Sequence, residues 1–140
     1  MHKCKSIVFK CMDFRLTKET NRFFEKNNLI GNCDIVSLAG SSKSLADGKE
    51  EIKNLLLKQI KTSKNLHQAT EVILIHHSDC GAYKTSFCFT SEEEEKNTQI
   101  EDMNNVEKLI KENFPEMTIK KIWAQMKDKE GNEVEFLTLN

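Results

Sequence analysis

Two short segments of the 140-residue chain concentrate side chains able to do chemistry: Cys11-Met12-Asp13-Phe14-Arg15 and His76-His77-Ser78-Asp79-Cys80-Gly81. Cysteine and histidine are zinc donors, and Cys11, His77 and Cys80 together form a Cys₂His set. Three protein ligands with a fourth position open is the arrangement of a catalytic zinc rather than a structural one. The gap between His77 and Cys80 lets both chelate from one turn, while Cys11 closes the site from a different strand. Zinc so held lowers the pKa of a bound water to about 7 and generates hydroxide at neutral pH. Asp13 can accept a hydrogen bond from that water or become the fourth metal ligand. Arg15 can hold Asp13 by paired, charge-assisted hydrogen bonds and keep its carboxylate ionised. Arg22 is the one other arginine of the chain, so an arginine inside this segment carries information. A phosphate-cradling Cys-x₅-Arg loop is excluded by the closer Cys11–Arg15 spacing, and no Cys-x-x-Cys redox pair occurs.

Both segments follow directly on apolar runs that read as strands. Ser6 to Lys10 leads into the first, and the continuous run Val72-Ile73-Leu74-Ile75, typical of a buried parallel strand, leads into the second. Between them, Leu16 to Leu29 reads as a helix stopped near Asn28 and Gly31, and Asp34 to Ala39 as a strand closed by Gly40. Ile52, Leu55, Leu56 and Ile60 then recur at helical spacing. Further on, Ser91 with Glu94 has a capping-box pattern, and the acidic run Glu92 to Glu95 reads as a solvated first turn. The stripe Ile100, Met103, Val106, Ile110 and Phe114 continues that helix to Pro115. Thr118 to Met126 and Val134 to Leu139 read as strands joined by a turn at 128–132, hence an antiparallel edge pair. Trp123, Met103 and Phe114 are expected in the core. The alternation predicts an α/β domain of three layers around a mainly parallel sheet of about four to five strands, over residues 1–140. In such sheets ligands bind beyond the carboxyl ends of the strands, where Cys11 and His77 fall.

Composition narrows the partners. The chain is 38% apolar and 31% charged, within the globular range. Its 21 basic and 22 acidic residues leave no net field for nucleic acid or an anionic membrane. No apolar run is long enough for a membrane helix, and the first ten residues lack a signal peptide, so a cytoplasmic protein is expected. Five cysteines in a reducing compartment argue against a disulfide framework. Cys4, Cys33 and Cys88 are read as structural or exposed thiols, Cys88 being near enough to Cys80 to be a spare ligand. His76 should point away from His77 and be packed or hydrogen-bonded.

Cys11-Met12-Asp13-Phe14-Arg15, Leu38-Ala39-Gly40 and His77-Ser78-Asp79-Cys80-Gly81-Ala82, in that order, resemble the β-class carbonic anhydrases over roughly residues 7–83. The resemblance implies Zn²⁺ on Cys11, His77 and Cys80, with Asp13 and Arg15 as a catalytic dyad and Asp13 able to swing onto the metal. It implies attack of zinc-bound hydroxide on carbon dioxide, release of bicarbonate and transfer of a proton to buffer. The Gly81 amide, opening a helix, could face that anionic product. Ser37-Leu38 stands where the family usually has Arg-Asn. The metal cysteine lies so near Met1 that the N-terminal helical arm of many members is expected to be absent. A homo-oligomer, a dimer, is the partner implied. Two alternatives stay open: a carbon disulfide or carbonyl sulfide hydrolase on the same site, and a non-catalytic or regulatory zinc-binding protein.

Overall fold

The computed structural model describes residues 2–140. Its sheet has five strands: β1 (Ser6–Cys11), β2 (Cys33–Leu38), β3 (Glu71–His77), β4 (Thr118–Met126) and β5 (Val134–Leu139). They lie in the order β2-β1-β3-β4-β5, parallel except for β5, which pairs antiparallel with β4. This is the α/β architecture with an antiparallel edge that the sequence predicts.

The pleat sends alternate residues of the inner strands to two cores. Ile7, Phe9, Val72 and Leu74 face one, and Val8, Ile73 and Ile75 face the other. That is why β3 is apolar without a break. The first core is closed by α2 (Lys43–Asp47), α3 (Glu50–His67) and α5 (Glu92–Asn113), through Leu45, Leu56, Ile60, Met103, Val106 and Ile110. The second is closed by α1 (Thr17–Lys26), which delivers Phe24 and stacks Phe23 on Phe136 of β5 with ring centres 4.6 Å apart. The short α4 (Gly81–Ser86) follows β3.

Several predicted bounds shift. The first helix begins with a 3₁₀ turn, Phe14–Leu16, becomes α-helical at Thr17 and ends at Lys26. Asn28 (φ 56°) and Gly31 (φ 66°) then turn the chain toward β2. Helix α2 carries too few residues to show a period. In α3, Leu56 and Ile60 are buried, whereas Ile52 and Leu55 are exposed, because helical spacing says which residues share a stripe and not how far the sheet covers it. The capping box at α5 is reciprocal in a modified form. Ser91 Oγ accepts from the Glu94 amide (3.1 Å), while the Glu94 carboxylate accepts from the amide of Thr90 (2.9 Å). Among the described residues no helix is long and apolar enough to cross a membrane.

One register detail opens a site. The β1–β2 ladder runs to Cys11↔Leu38 and the β3–β4 ladder to His77↔Ala124, but the β1–β3 ladder stops at Phe9↔Leu74. Chain connections leave β1 toward β2 and β3 toward β4, in opposite directions along the sheet. The two central strands therefore part just before Cys11 and His77, leaving a crevice at the topological switch point.

Candidate metal centre

Cys11 ends β1, His77 ends β3, and Cys80 follows in the turn before α4. Their Sγ, imidazole nitrogen and Sγ lie within 4.8 Å of one another, with His77 and Cys80 buried. His77 Nδ1 is 2.6 Å from the Ser78 carbonyl oxygen, which can only accept, so Nδ1 carries the proton and Nε2 presents a lone pair. That Nε2 is buried and has no hydrogen-bond partner. An unpaired buried acceptor costs free energy unless something fills its need. A metal ion at the centre of two thiols and this nitrogen would do so, and a carbonyl on the far ring nitrogen is the usual way a ligand histidine is oriented. The thiols titrate as a pair. Cys80, and then His77, pull Cys11 well below its ordinary value, while Cys11 pushes Cys80 up.

Asp13 stands beside this group, its Oδ2 4.0 Å from His77 Nε2. Arg15 holds it by four bonds: Nε to Oδ1 (3.1 Å) and to Oδ2 (3.2 Å), Nη2 to Oδ2 (2.7 Å) and the backbone amide to Oδ1 (3.0 Å). These donors, led by the guanidinium, keep the Asp13 carboxyl below its ordinary range. Arg15 is itself held elsewhere. Nη1 donates to Asp79 Oδ2 (2.9 Å) and to the Lys129 carbonyl (3.1 Å), and Nη2 donates to the Asp79 carbonyl (3.0 Å). Asp79, which also pairs with Lys84, thus ties the β3–α4 turn to the Asp13–Arg15 unit. A cavity of about 420 Å³ opens here, lined by Cys11, Asp13 and Arg15 with Met12, Phe14, Ala39 and Ala82. Gly40 and Gly81 complete its wall. A larger groove of about 710 Å³ beside α3 is lined by Lys58, Lys61, Asn65 and Phe114, among others, and brings no ligand set together.

The neighbours of this group behave in different ways. His76 is buried and neutral: Ser42 Oγ lies 2.6 Å from Nε2, Gln99 Oε1 lies 3.1 Å from Nδ1, and burial pushes it down to about 4. It is the packed, hydrogen-bonded residue expected. Cys88 is exposed and outside the Cys11–His77–Cys80 group. The tight turn before α4 places positive φ on Asp79 (55°) and not on Gly81, where a Cβ would meet nothing within 4 Å.

Two features escape the sequence reading. Glu95, in the acidic run taken as solvated, is 3% exposed. Its carboxylate accepts from the amides of Asp79 (3.1 Å) and Cys80 (2.9 Å), and Gln99 Nε2 bridges it (3.0 Å) to the His77 carbonyl (2.9 Å). The signal was present. Glu95 and Gln99 extend the stripe Met103–Val106–Ile110 backward at helical spacing. The second feature is the β4–β5 loop, where Asp128 Oδ1 accepts from the amides of Glu130, Gly131 and Asn132 (3.0, 2.7 and 3.0 Å). The loop seats Gly131, at φ 81°, directly on the Arg15 backbone, so that a Cβ there would stand 1.9 Å from the Arg15 carbonyl oxygen. Gly131→Ala is expected to lift the loop off Arg15 and destabilise the fold by roughly 1–3 kcal/mol, since strain and overpacking add. Urea unfolding measures it, and an unchanged midpoint would mean that the loop is not seated there.

A family model described as "Putative carbonic anhydrase" matches residues 1–135. The chain belongs to that family. An uncharacterized protein of Rickettsia bellii is 29% identical over 123 residues, covering 85% of this chain and 75% of the relative. Among solved structures, the carbonic anhydrase of Streptococcus mutans superposes with a TM-score of 0.58 at 20% identity, covering 99% of this chain and 83% of that one. Two tetrameric β-carbonic anhydrases of Sordaria macrospora are represented at a TM-score of 0.57 and 13% identity, covering 98% and 82%. At these identities the likeness shows a shared β-carbonic-anhydrase-like fold. The Cys11–His77–Cys80 group of this family member resembles the zinc site of such proteins.

Proposed function

We propose that this carbonic anhydrase family member is a zinc enzyme that interconverts carbon dioxide and bicarbonate. The observation that carries it is the buried, unpartnered His77 Nε2 between two thiols, with an Arg15-held carboxylate 4.0 Å away. Cys11, His77 and Cys80 would hold the zinc, with Asp13 within reach as a fourth ligand. A zinc ion bound by such a set lowers the pKa of a water at its open position to about 7. The chain's own residues supply the rest. Asp13 is ionised at rest and placed to accept a hydrogen bond, and then a proton, from a water at the site. Arg15 fixes its carboxylate and, through Asp79, the turn carrying Cys80. Met12, Phe14, Ala39 and Ala82 offer an apolar wall suited to carbon dioxide, and Gly81 beside them leaves room for the bicarbonate product.

Stopped-flow hydration of carbon dioxide on metal-quantified protein tests this reading. Asp13→Ala is expected to keep its zinc and lose activity by roughly 10²–10⁴-fold, the usual contribution of a positioned proton acceptor. A fully zinc-loaded wild-type protein inactive from roughly pH 6 to 9 would overturn the enzyme and leave a metal-binding protein. The same assay with carbonyl sulfide or carbon disulfide separates the substrates. We also read the chain as a homo-oligomer. Strand β2 lies at the sheet edge with Ile35 half-exposed, and the Sordaria proteins of this fold are tetrameric. Light scattering on purified protein would show a monomer if this is wrong.

A further inference from the structure

We propose a second metal site at the opposite end of the sheet, built by Cys4, Asp34 and His67 for a divalent ion of zinc-like softness. The three residues come from separate elements. Cys4 precedes β1, Asp34 is near the start of β2, and His67 closes α3. Their Sγ, carboxylate oxygen and ring nitrogen lie within 4.8 Å of one another. Cys4 Sγ is 3.7 Å from Asp34 Oδ2, and His67 Nδ1 is 2.7 Å from the same oxygen and 3.0 Å from Oδ1. Ligand atoms on a tetrahedral zinc ion stand roughly 3.2–3.7 Å apart, as its bond lengths require. The group therefore needs only a slight opening of the His67–Asp34 contact to accept an ion.

The scaffold holds the donors in place before any ion arrives. The Cys4 amide donates to the His67 carbonyl (3.0 Å), and Ser63 Oγ donates to Asp34 Oδ2 (2.7 Å). Among the described residues no lysine or arginine pairs with Asp34, whose ion-pair partner is the titratable His67. The charge at the centre is thus met by an S–H, an O–H and a ring nitrogen, and a metal can displace the thiol proton and compete for that nitrogen. Asp34 and His67 are about one-third exposed, their side chains at 33% and 35%, so the ion can enter from solvent. A shallow cavity of about 240 Å³ beside Asp34, Ser63 and His67 provides the way in. The ring of His2 lies edge-on to His67, centres 6.4 Å apart, and places a further imidazole beside the group. Sulfur, nitrogen and oxygen together suit zinc, cobalt or cadmium and not calcium or magnesium, which take oxygen alone.

This site does not depend on the hydration reading. Cobalt(II) titration of the metal-free full chain, followed by thiolate-to-cobalt charge-transfer absorbance and by dialysis, tests it. About two equivalents are expected for wild type and about one each for Cys4→Ser, for His67→Gln and for the Cys11→Ser/Cys80→Ser double variant. His67→Gln lies at a half-exposed helix end and covers the case in which Cys4→Ser does not fold. The proposal fails if Cys4→Ser and His67→Gln bind as much as wild type, or if the folded double variant binds none. A wild-type equivalent lost only in the double variant overturns this site and leaves the first standing. One lost only in Cys4→Ser or His67→Gln supports this site and overturns the first.

Discussion

Cys80→Ser is expected to fold and to bind about one metal equivalent per chain fewer than wild type, with no measurable hydration activity. A serine hydroxyl keeps its proton at neutral pH and cannot replace a thiolate as a zinc donor. The position is 1% exposed, yet the turn holding it is fixed through backbone amides and through Asp79, which the substitution leaves intact. The loss should therefore be of metal and not of fold. Linkage gives a readout independent of turnover. A ligand that binds the folded state stabilises it by RT ln(1 + [L]/Kd), about 2.7 kcal/mol at a hundredfold excess over Kd. Zinc should raise the melting temperature of wild type, and the increment due to this centre should vanish in Cys80→Ser. A variant that retains the full wild-type zinc content and increment would show that Cys80 is no ligand.

What was legible in the sequence follows physical range. Strand β3 could be read because burial on both faces demands an unbroken apolar run, and the core of α5 because one covered stripe demands a helical period. Cys11, His77 and Cys80 could be read because their donor chemistry is unusual at strand ends. The contacts that hold the site could not. Glu95 reaches the Cys80 turn, and Asp79 and the Lys129 carbonyl reach Arg15, across long stretches of chain. A helical stripe marks Glu95 as buried and a motif contains Asp79, but no local pattern names the partner of any of the three. Gly131 reads as an ordinary hairpin glycine until the Arg15 carbonyl is seen against it. The Cys4–Asp34–His67 group is hidden for the same reason, since it assembles only when the beginnings of two strands meet the end of α3.

Glu95→Ala is expected to be the most destabilising of the substitutions away from the ligands. The carboxylate accepts from three N–H groups, those of Asp79, Cys80 and the Gln99 side chain. Removing it leaves these donors without an acceptor, at roughly 1–3 kcal/mol for each of the two that are buried, the Cys80 N–H and the Gln99 amide, so a total on the order of 2–6 kcal/mol. Glu95 also lies in the first turn of α5, where the aligned peptide dipoles favour negative charge, a further loss of about 0.3–1 kcal/mol. Glu95→Gln separates shape from charge. It keeps the volume and one acceptor oxygen but turns an NH₂ toward a backbone N–H, so about half the loss is expected. The effect should reach the metal as well, because the Cys80 amide is fixed by this carboxylate and the His77 carbonyl by Gln99, which it braces. Outer-shell partners of this kind typically carry 10–100-fold in metal affinity, and competition with a chromophoric chelator measures it. A Glu95→Ala protein with wild-type unfolding midpoint and wild-type zinc affinity would mean that the turn holds Cys80 in place without α5. If stability falls and affinity does not, Glu95 belongs to the fold alone.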